Sequence, residues 1–485
     1  MTQFDKRNLS MMMDFYEMTM SYGYFCQRSG DVRVAFDVFF RSVPDKGGYA
    51  IFAGLEHVVE FVENLSFSDE DIDFFRQQKL FSEEFLHFLR NFRFRGDIYA
   101  MPEGTIIYPD EPLMTIIAPV IDAQLLETAV LSQINHQSLI ATKASRIVRA
   151  AEGRIVSDFG ARRAHNMDAA TYGARAAYIG GVDMTATVSA GQQFGIPISG
   201  TMAHSWVMFF EDEFTAFKKY AELYPQATVL LVDTYDVLHS GIPNAIRTAH
   251  EVLAPQGNRL AGVRIDSGDL AYLSKRVRTM LDDAGLTDCK IILSNSLDEF
   301  TISSLLLQGA QVDSFGVGER LITAKSDPVF GAVYKLVAVE KDGVFLPRIK
   351  MSENVEKLTN PGIKDLYRIY DRHGKAVADM LALQGEEIDL TKPFRYVDPR
   401  KPWKNRFFEG FSAVNLRRLY VREGKRVEEL PSLDEIRAYV QKQLTEEIWP
   451  EEQRFENPHR HYLDMTPTYY ELKMGLLDDM RGRHC

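Results

Sequence analysis

Between Ser199 and Val207 the chain reads Ser-Gly-Thr-Met-Ala-His-Ser-Trp-Val, and His204 is the side chain in it that could act as a neutral nucleophile. An apolar Ile196-Pro197-Ile198 segment precedes it. Phe209, Phe210, Phe214, Phe217 and Tyr220 follow at helical spacing, so His204 falls where a strand gives way to a helix. Free backbone N–H groups at such a point attract an anion and disfavour an imidazolium, which keeps the ring neutral beside a phosphate. The position equally suits a packed or turn-capping histidine, so other segments have to decide.

Five further segments carry related chemistry: Asp158-Phe159-Gly160-Ala161-Arg162-Arg163, Asp233-Thr234-Tyr235-Asp236, Arg264-Ile265-Asp266-Ser267-Gly268-Asp269, Ser294-Asn295-Ser296 and Gly316-Val317-Gly318-Glu319-Arg320. Arg162 and Arg264 can each grip a planar carboxylate through two parallel hydrogen bonds. Gly316 and Gly318 let backbone N–H groups approach a phosphate closely. Asp266 and Asp269 could hold Mg²⁺ on a pyrophosphate or steady a ribose hydroxyl, although a residue such as Asp269 also serves as a helix cap. There is no GxxxxGK[ST], the glycine turn lacks the third glycine of a dinucleotide fingerprint, and there is neither a nucleophile elbow nor HExxH.

Each segment follows a short apolar run: 154–157, 197–199, 229–232, 262–265, 290–293 and 312–315. Strands alternating with helical stretches imply βα units on a parallel sheet, here expected as an irregular, closed or nearly closed α/β barrel. In such a barrel the C-terminal strand ends share one rim, which would bring the six segments together. Before the barrel, residues 1–121 read as a mixed α+β unit with amphipathic helices at 10–25, 51–65, 69–77 and 82–91 and a half-buried strand at 32–40 closed by Arg41. A connecting helix is expected over 122–152, with Lys143 and Arg146 on one face, suited to solvent or to a ligand. Residues 153–332 form the barrel. The βα rhythm is lost over 333–485, where a hairpin turns at Asp342-Gly343, a basic segment runs from Lys350 to Lys364, and a charged helix spans 433–444 ahead of a His-rich stretch and a short final helix.

The 485 residues are 45% hydrophobic, ordinary for a globular protein. A net charge of −12 argues against nucleic acid or anionic membrane as partners. Three widely separated cysteines and an N-terminus without an apolar core point to a reducing cytoplasm.

Together with Asp14-Phe15-Tyr16-Glu17-Met18-Thr19-Met20, these rim segments resemble nicotinate phosphoribosyltransferase, and more distantly the nicotinamide and quinolinate enzymes. The resemblance implies a type II phosphoribosyltransferase barrel, an α+β domain built from both chain ends, and a homodimer with shared active sites. It implies that nicotinate and 5-phosphoribosyl 1-pyrophosphate give nicotinate mononucleotide and pyrophosphate for NAD salvage, with ATP hydrolysed through a phosphohistidine at His204 and Mg²⁺ on the phosphates. Tyr16 of a neighbouring subunit and Phe159 would sandwich the pyridine, Arg162, Arg264, Thr201 and Ser205 would surround its carboxylate, and Asp266 would act beside the ribose. Arg41, Lys143, Asp233, Asp269, Asn295, Gly316, Gly318, Glu319 and Lys350 would face phosphoribosyl pyrophosphate or ATP, with Arg41 and the Lys350 to Lys364 segment similar to the family's outer phosphate contacts. Glu319 departs from the threonine common there. A nicotinamide-using relative and a catalytically silent, nucleotide-binding paralogue are the alternative readings.

Overall fold

The computed structural model describes residues 8–350, 358–388, 394–398, 405–408 and 410–484. The chain divides into two compact units, Met1–Leu139 with Val329–Cys485, and Ile140–Pro328. The division falls inside the Glu127–Ala150 helix. The continuous helix expected from Asp122 is two, Val120–Gln124 and Glu127–Ala150, with the break at Leu125 and Leu126. Leu125, Leu126, Ala129, Val130, Ile134, Leu139 and Ile140 are all buried.

In the first unit both chain ends contribute to one antiparallel sheet. Strand Arg33–Phe39 lies between Val333–Lys341 and Met114–Pro119, and Asp97–Ala100 pairs with Arg418–Arg422. The Val333–Lys341 and Val344–Pro347 hairpin turns at Asp342 and Gly343, both at positive φ, as an Asp-Gly turn requires. Asp69–Gln77 is a helix because Ser68 and Asp71 close a capping box. The helix expected from Ile51 starts only at Leu55: Ala50–Ile51 pairs instead with Ile106–Ile107, and Gly54, at φ 103°, separates the two. Lys364, expected to face outer phosphates, is enclosed and donates to Asp37 and to the Gly362 carbonyl. Burial pushes its ammonium pKa down, against the pull of Asp37. In the His-rich stretch, His461 stacks on Tyr108 and lies between Glu452 and Asp379; burial opposes its charge, and Asp379 and Glu452 restore it. The final helix, Pro467–His484, is longer than expected.

The second unit is built on six parallel strands in the order Met184–Thr185, Ile155–Asp158, Ser314–Val317, Lys290–Ser294, Gly262–Ile265, Val229–Leu231. The 197–199 segment, expected as a strand, contributes a single parallel bridge from Ile198 to Thr185, while Met184–Thr185 supplies a strand not foreseen. Among the described residues no ladder joins the Ile198 end of the sheet to the Val229–Leu231 end, which makes the α/β arrangement irregular. The helix expected through Phe209, Phe214 and Tyr220 is also two, His204–Phe209 and Glu213–Leu223. The interruption arises because Asp212 leaves the helix to cap the second one, accepting from the Thr215 N–H at 2.8 Å.

Candidate active site

His204 opens its helix after Ala203, whose backbone is extended at φ −101° and ψ 163°. The imidazole Nε2 lies 3.2 Å from Asp233 Oδ1. Asp233, two residues beyond the end of the Val229–Leu231 strand, has a side chain only 1% exposed, and its Oδ2 accepts from the Asp266 N–H at 3.0 Å and the Ser267 hydroxyl at 2.6 Å. With Oδ2 engaged by two donors, Oδ1 is left to accept a hydrogen bond from an Nε2–H. That tautomer turns the Nδ1 lone pair into the nucleophilic one. The imidazole is 39% exposed, so it can be reached from solvent.

Asp266 in turn accepts from the Ser294 hydroxyl. Ser294 ends its strand, and Asn295 and Ser296 after it sit at φ 94° and 49°, a conformation that side-chain-bearing residues adopt at a cost. Three strand ends and the start of the His204 helix are thereby joined through hydrogen bonds that begin at His204 and run through Asp233 and Asp266 to Ser294.

The adjoining part of the rim is aromatic and cationic. Arg264 Nη1 donates to Thr201 Oγ1 at 2.9 Å, and its guanidinium carbon stands 5.8 Å from the centre of the Phe159 ring. Its Nε is buried with no hydrogen-bond partner among the described residues. Burial pushes the guanidinium pKa down, Asp266 and Asp233 pull it up, and Arg162 is near enough to oppose it. An orphaned guanidinium N–H beside a flat ring is the arrangement that a planar aromatic acid would complete.

Phe159 itself is fixed from below. Its N–H donates to the Val317 carbonyl at 2.8 Å, and its ring lies so close over Gly316 that a Cβ there would fall inside the ring's van der Waals shell. Asp158, one residue earlier, is buried; it accepts from the Gly160 N–H and the Thr185 hydroxyl, both at 2.8 Å, and burial raises its carboxyl pKa. Gly316→Ala is therefore expected to tilt Phe159 and raise the KM for the aromatic substrate about tenfold, a cost of about 1–3 kcal/mol for forced repacking. Steady-state kinetics with the aromatic substrate varied would check this, and an unchanged KM would detach Phe159 from the ring-binding role.

Comparison with known proteins decides the family. The chain matches the nicotinate phosphoribosyltransferase (NAPRTase) N-terminal domain over residues 11–135, the nicotinate phosphoribosyltransferase (NAPRTase) family over 155–356, and the corresponding C-terminal domain over 363–473. It is 44% identical over 483 residues to the nicotinate phosphoribosyltransferase of Bacillus subtilis, covering 99% of this chain and 97% of that one. The Caenorhabditis elegans nicotinate phosphoribosyltransferase is 32% identical, with 95% and 92% of the two chains covered. The chain belongs to the nicotinate phosphoribosyltransferase family. The crystal structure of human nicotinic acid phosphoribosyltransferase superposes with a TM-score of 0.85 at 28% identity, over 96% of this chain and 100% of that one. That of nicotinate-nucleotide pyrophosphorylase from Pyrococcus furiosus gives 0.70 at 26% identity, over 92% and 99%.

The remaining residues expected from the nicotinate phosphoribosyltransferase pattern are placed variously. Arg162 is exposed in the Ala161–Arg163 turn, and Ser205 is exposed on the first turn of the His204 helix. Asp269 caps Leu270–Asp283, accepting from the Tyr272 N–H at 3.0 Å, while Asn295 points into the open. Glu319 binds Lys325 at 2.7 Å and approaches Arg163 at 4.0 Å. Those cations, Lys325 ahead of Arg163, hold its carboxyl below the usual range. Lys143 is neither on a solvated face nor open to a phosphate: it is 3% exposed, with Nζ 2.9 Å from Glu299 Oε1 and 2.8 Å from Ser326 Oγ. Arg146 joins the same carboxylate at 2.8 Å, because a buried Glu needs cations around it.

Tyr16, Arg41 and Lys350 belong to the first unit. Tyr16 is exposed on the Phe15–Cys26 helix, Arg41 lies over the Phe39 ring at 5.4 Å with its Nε unpartnered among the described residues, and Lys350 is exposed. Residues 351–357 of the basic segment lie outside the described residues. Ser267 and Ser294, which orient Asp233 and Asp266, lie within the rim segments but carry no individual role in the sequence reading. Their only signal there was position directly after a strand.

Proposed function

We propose that the chain transfers the phosphoribosyl group of 5-phosphoribosyl 1-pyrophosphate to nicotinate, releasing nicotinate mononucleotide and pyrophosphate, and that ATP hydrolysis is coupled through phosphorylation of His204. The observation that carries this reading is the shared rim. One imidazole at a helix start, oriented by Asp233, and one guanidinium from a strand end, with an N–H unpartnered among the described residues beside Phe159, are linked through the Asp233 and Asp266 contacts.

In the transfer step the pyridine nitrogen already owns a lone pair, so no strong base is required. It attacks the anomeric carbon as the bond to the pyrophosphate oxygen breaks, and the protein's task is to hold the two in line. Phe159 supplies a face for the ring, and Arg264 with Arg162 and Thr201 would clasp the carboxylate. Asp266, steadied by Ser294, would lie against the ribose. The Gly316 to Gly318 turn would meet a phosphate with backbone N–H groups.

In the coupling step the Nδ1 lone pair of His204 attacks the γ-phosphorus of ATP, the bond to the ADP oxygen breaks, and Asp233 holds the Nε2 proton as the ring becomes cationic. The added phosphate would bring charge that orders Mg²⁺ together with the pyrophosphate, and water later removes it. Mg²⁺ entering on the phosphates would neutralise the leaving group, with the Asp266 and Asp269 carboxylates as its protein neighbours.

No described helix is long and apolar enough to cross a membrane; a cytoplasmic setting and a homodimer are part of the proposal. Exposed Phe15, Tyr16 and Met20 on one helix, and Met208 and Phe209 after His204, are apolar groups that a second copy would cover. An assay of mononucleotide formation from nicotinate and from nicotinamide, with and without ATP, tests the reading. Turnover of nicotinate that ATP accelerates is expected. Equal kcat/KM for nicotinamide would overturn the acid preference, and no turnover of either would leave the silent paralogue.

A further inference from the structure

The Phe15–Cys26 helix begins after Asp14, whose backbone is extended at φ −73° and ψ 139°. Glu17 folds back over that start. Its Oε1 accepts from the Asp14 N–H at 3.2 Å, from the Thr128 N–H at 3.1 Å and from the Thr128 hydroxyl. Thr128 stands in the first turn of the Glu127–Ala150 helix, and its Oγ1 also accepts from the Asp14 N–H at 3.2 Å. One carboxylate thus ties the first turns of two helices together. An ordinary capping glutamate does this in water, but Glu17 is 0% exposed, and its Oε2 is buried without a hydrogen-bond partner among the described residues. Tyr16, its neighbour in sequence, is 44% exposed, with the Glu127 carboxylate facing its hydroxyl.

We infer that Glu17 is the positioning residue for Tyr16: by locking the first turn of its helix to Thr128, it sets the angle at which the tyrosine ring is presented to the pyridine. The inference rests on the reading of Tyr16 as a nicotinate-stacking residue. The clamp also titrates. Burial lifts the Glu17 carboxyl to about 7, the Thr128 and Asp14 donors pull it down, and Glu127 adds to the rise. The groups facing it are Asp14 and Tyr16 on its own helix, Glu127 and Thr128 on the second, and Tyr334 on the Val333–Lys341 strand, whose phenol feels both Glu127 and Glu17. Gln124 donates to Glu127 at 3.1 Å, and Lys335 is within reach of the same carboxylate. Ionised Glu17 is the stronger acceptor for its three donors, so the clamp tightens as pH rises through neutrality.

Two variants separate positioning from bulk structure. Glu17→Gln keeps the shape and an acceptor oxygen but cannot titrate; Glu17→Leu keeps the volume and accepts nothing. In the unmodified protein the KM for nicotinate is expected to fall about threefold between about pH 6 and pH 8 relative to Glu17→Gln, in which this step is absent. Glu17→Leu should raise the nicotinate KM about tenfold while kcat and the KM for phosphoribosyl pyrophosphate change less than about twofold. The same pH step in Glu17→Gln, or equal rises of both KM values in Glu17→Leu, would overturn the assignment. Tyr16→Ala is the control: an unchanged nicotinate KM there removes the role of Tyr16 itself, whereas a raised KM beside a normal Glu17→Leu removes only that of Glu17.

Discussion

His204→Ala is expected to abolish acid-labile labelling by γ-labelled ATP and all ATP stimulation, while leaving slow, ATP-independent transfer to nicotinate. The reasoning starts from the hydrogen bonds of Asp233. Its Oδ2 is taken by the Asp266 N–H and the Ser267 hydroxyl, its Oδ1 faces His204 Nε2, and only Nδ1 of the ring remains to attack phosphorus. Alanine removes that nitrogen without disturbing the Arg264 and Phe159 side of the rim, so binding of the aromatic acid should survive. Losing two charge-assisted contacts that the phosphohistidine would order, at about 1.5 kcal/mol each, corresponds to about a hundredfold in kcat/KM for phosphoribosyl pyrophosphate in the presence of ATP. Label persisting on the alanine variant would place the phosphoryl group elsewhere and end the assignment.

Arg264→Lys should have the other large effect, lowering kcat/KM for nicotinate by about 10²- to 10³-fold, since lysine cannot reproduce a two-pronged grip on a carboxylate. The Arg264 side chain is already held by Thr201 and lies beside Phe159, and its Nε awaits an acceptor. A compact ammonium would sit too far from the ring's edge to make both bonds. Nicotinamide, which has no full negative charge to lose, should suffer less, so the variant narrows the preference for acid over amide. A loss that is equal for the two substrates, measured in parallel saturation curves, would assign Arg264 to the ribose or phosphates instead.

Local signals were legible wherever one short stretch supplies its own partner. Ser68 and Asp71 close a capping box around the start of a helix, and Asp342-Gly343 has the backbone freedom its hairpin turn demands. Gly262–Ile265 and Lys290–Ser294 were visible as apolar runs ahead of polar turns. Where two local signals competed, periodicity misled: the aromatic spacing through Phe209 to Tyr220 suits one helix, yet Asp212 is a strong cap and divides it. Lys143 and Lys364 looked like ligand-facing cations because a lysine's exposure is not written in its neighbours along the chain. Each is enclosed with a carboxylate from a distant segment, Glu299 and Asp37 respectively.

For the site, the chain's residue types specify the kinds of groups present and their place after strands: a histidine, arginines, aspartates and close-approach glycines, in an order that resembles that of the nicotinate phosphoribosyltransferase family. Residue type and strand-end position are local properties, set by side-chain chemistry and hydrophobic periodicity. Tertiary structure alone decided which nitrogen of His204 is left free, which serine steadies Asp266, and which arginine keeps an unpaired donor beside Phe159. Those outcomes depend on hydrogen bonds and burial between segments tens of residues apart. Their energies exist only once the parallel sheet has brought the strand ends together and removed water from between them.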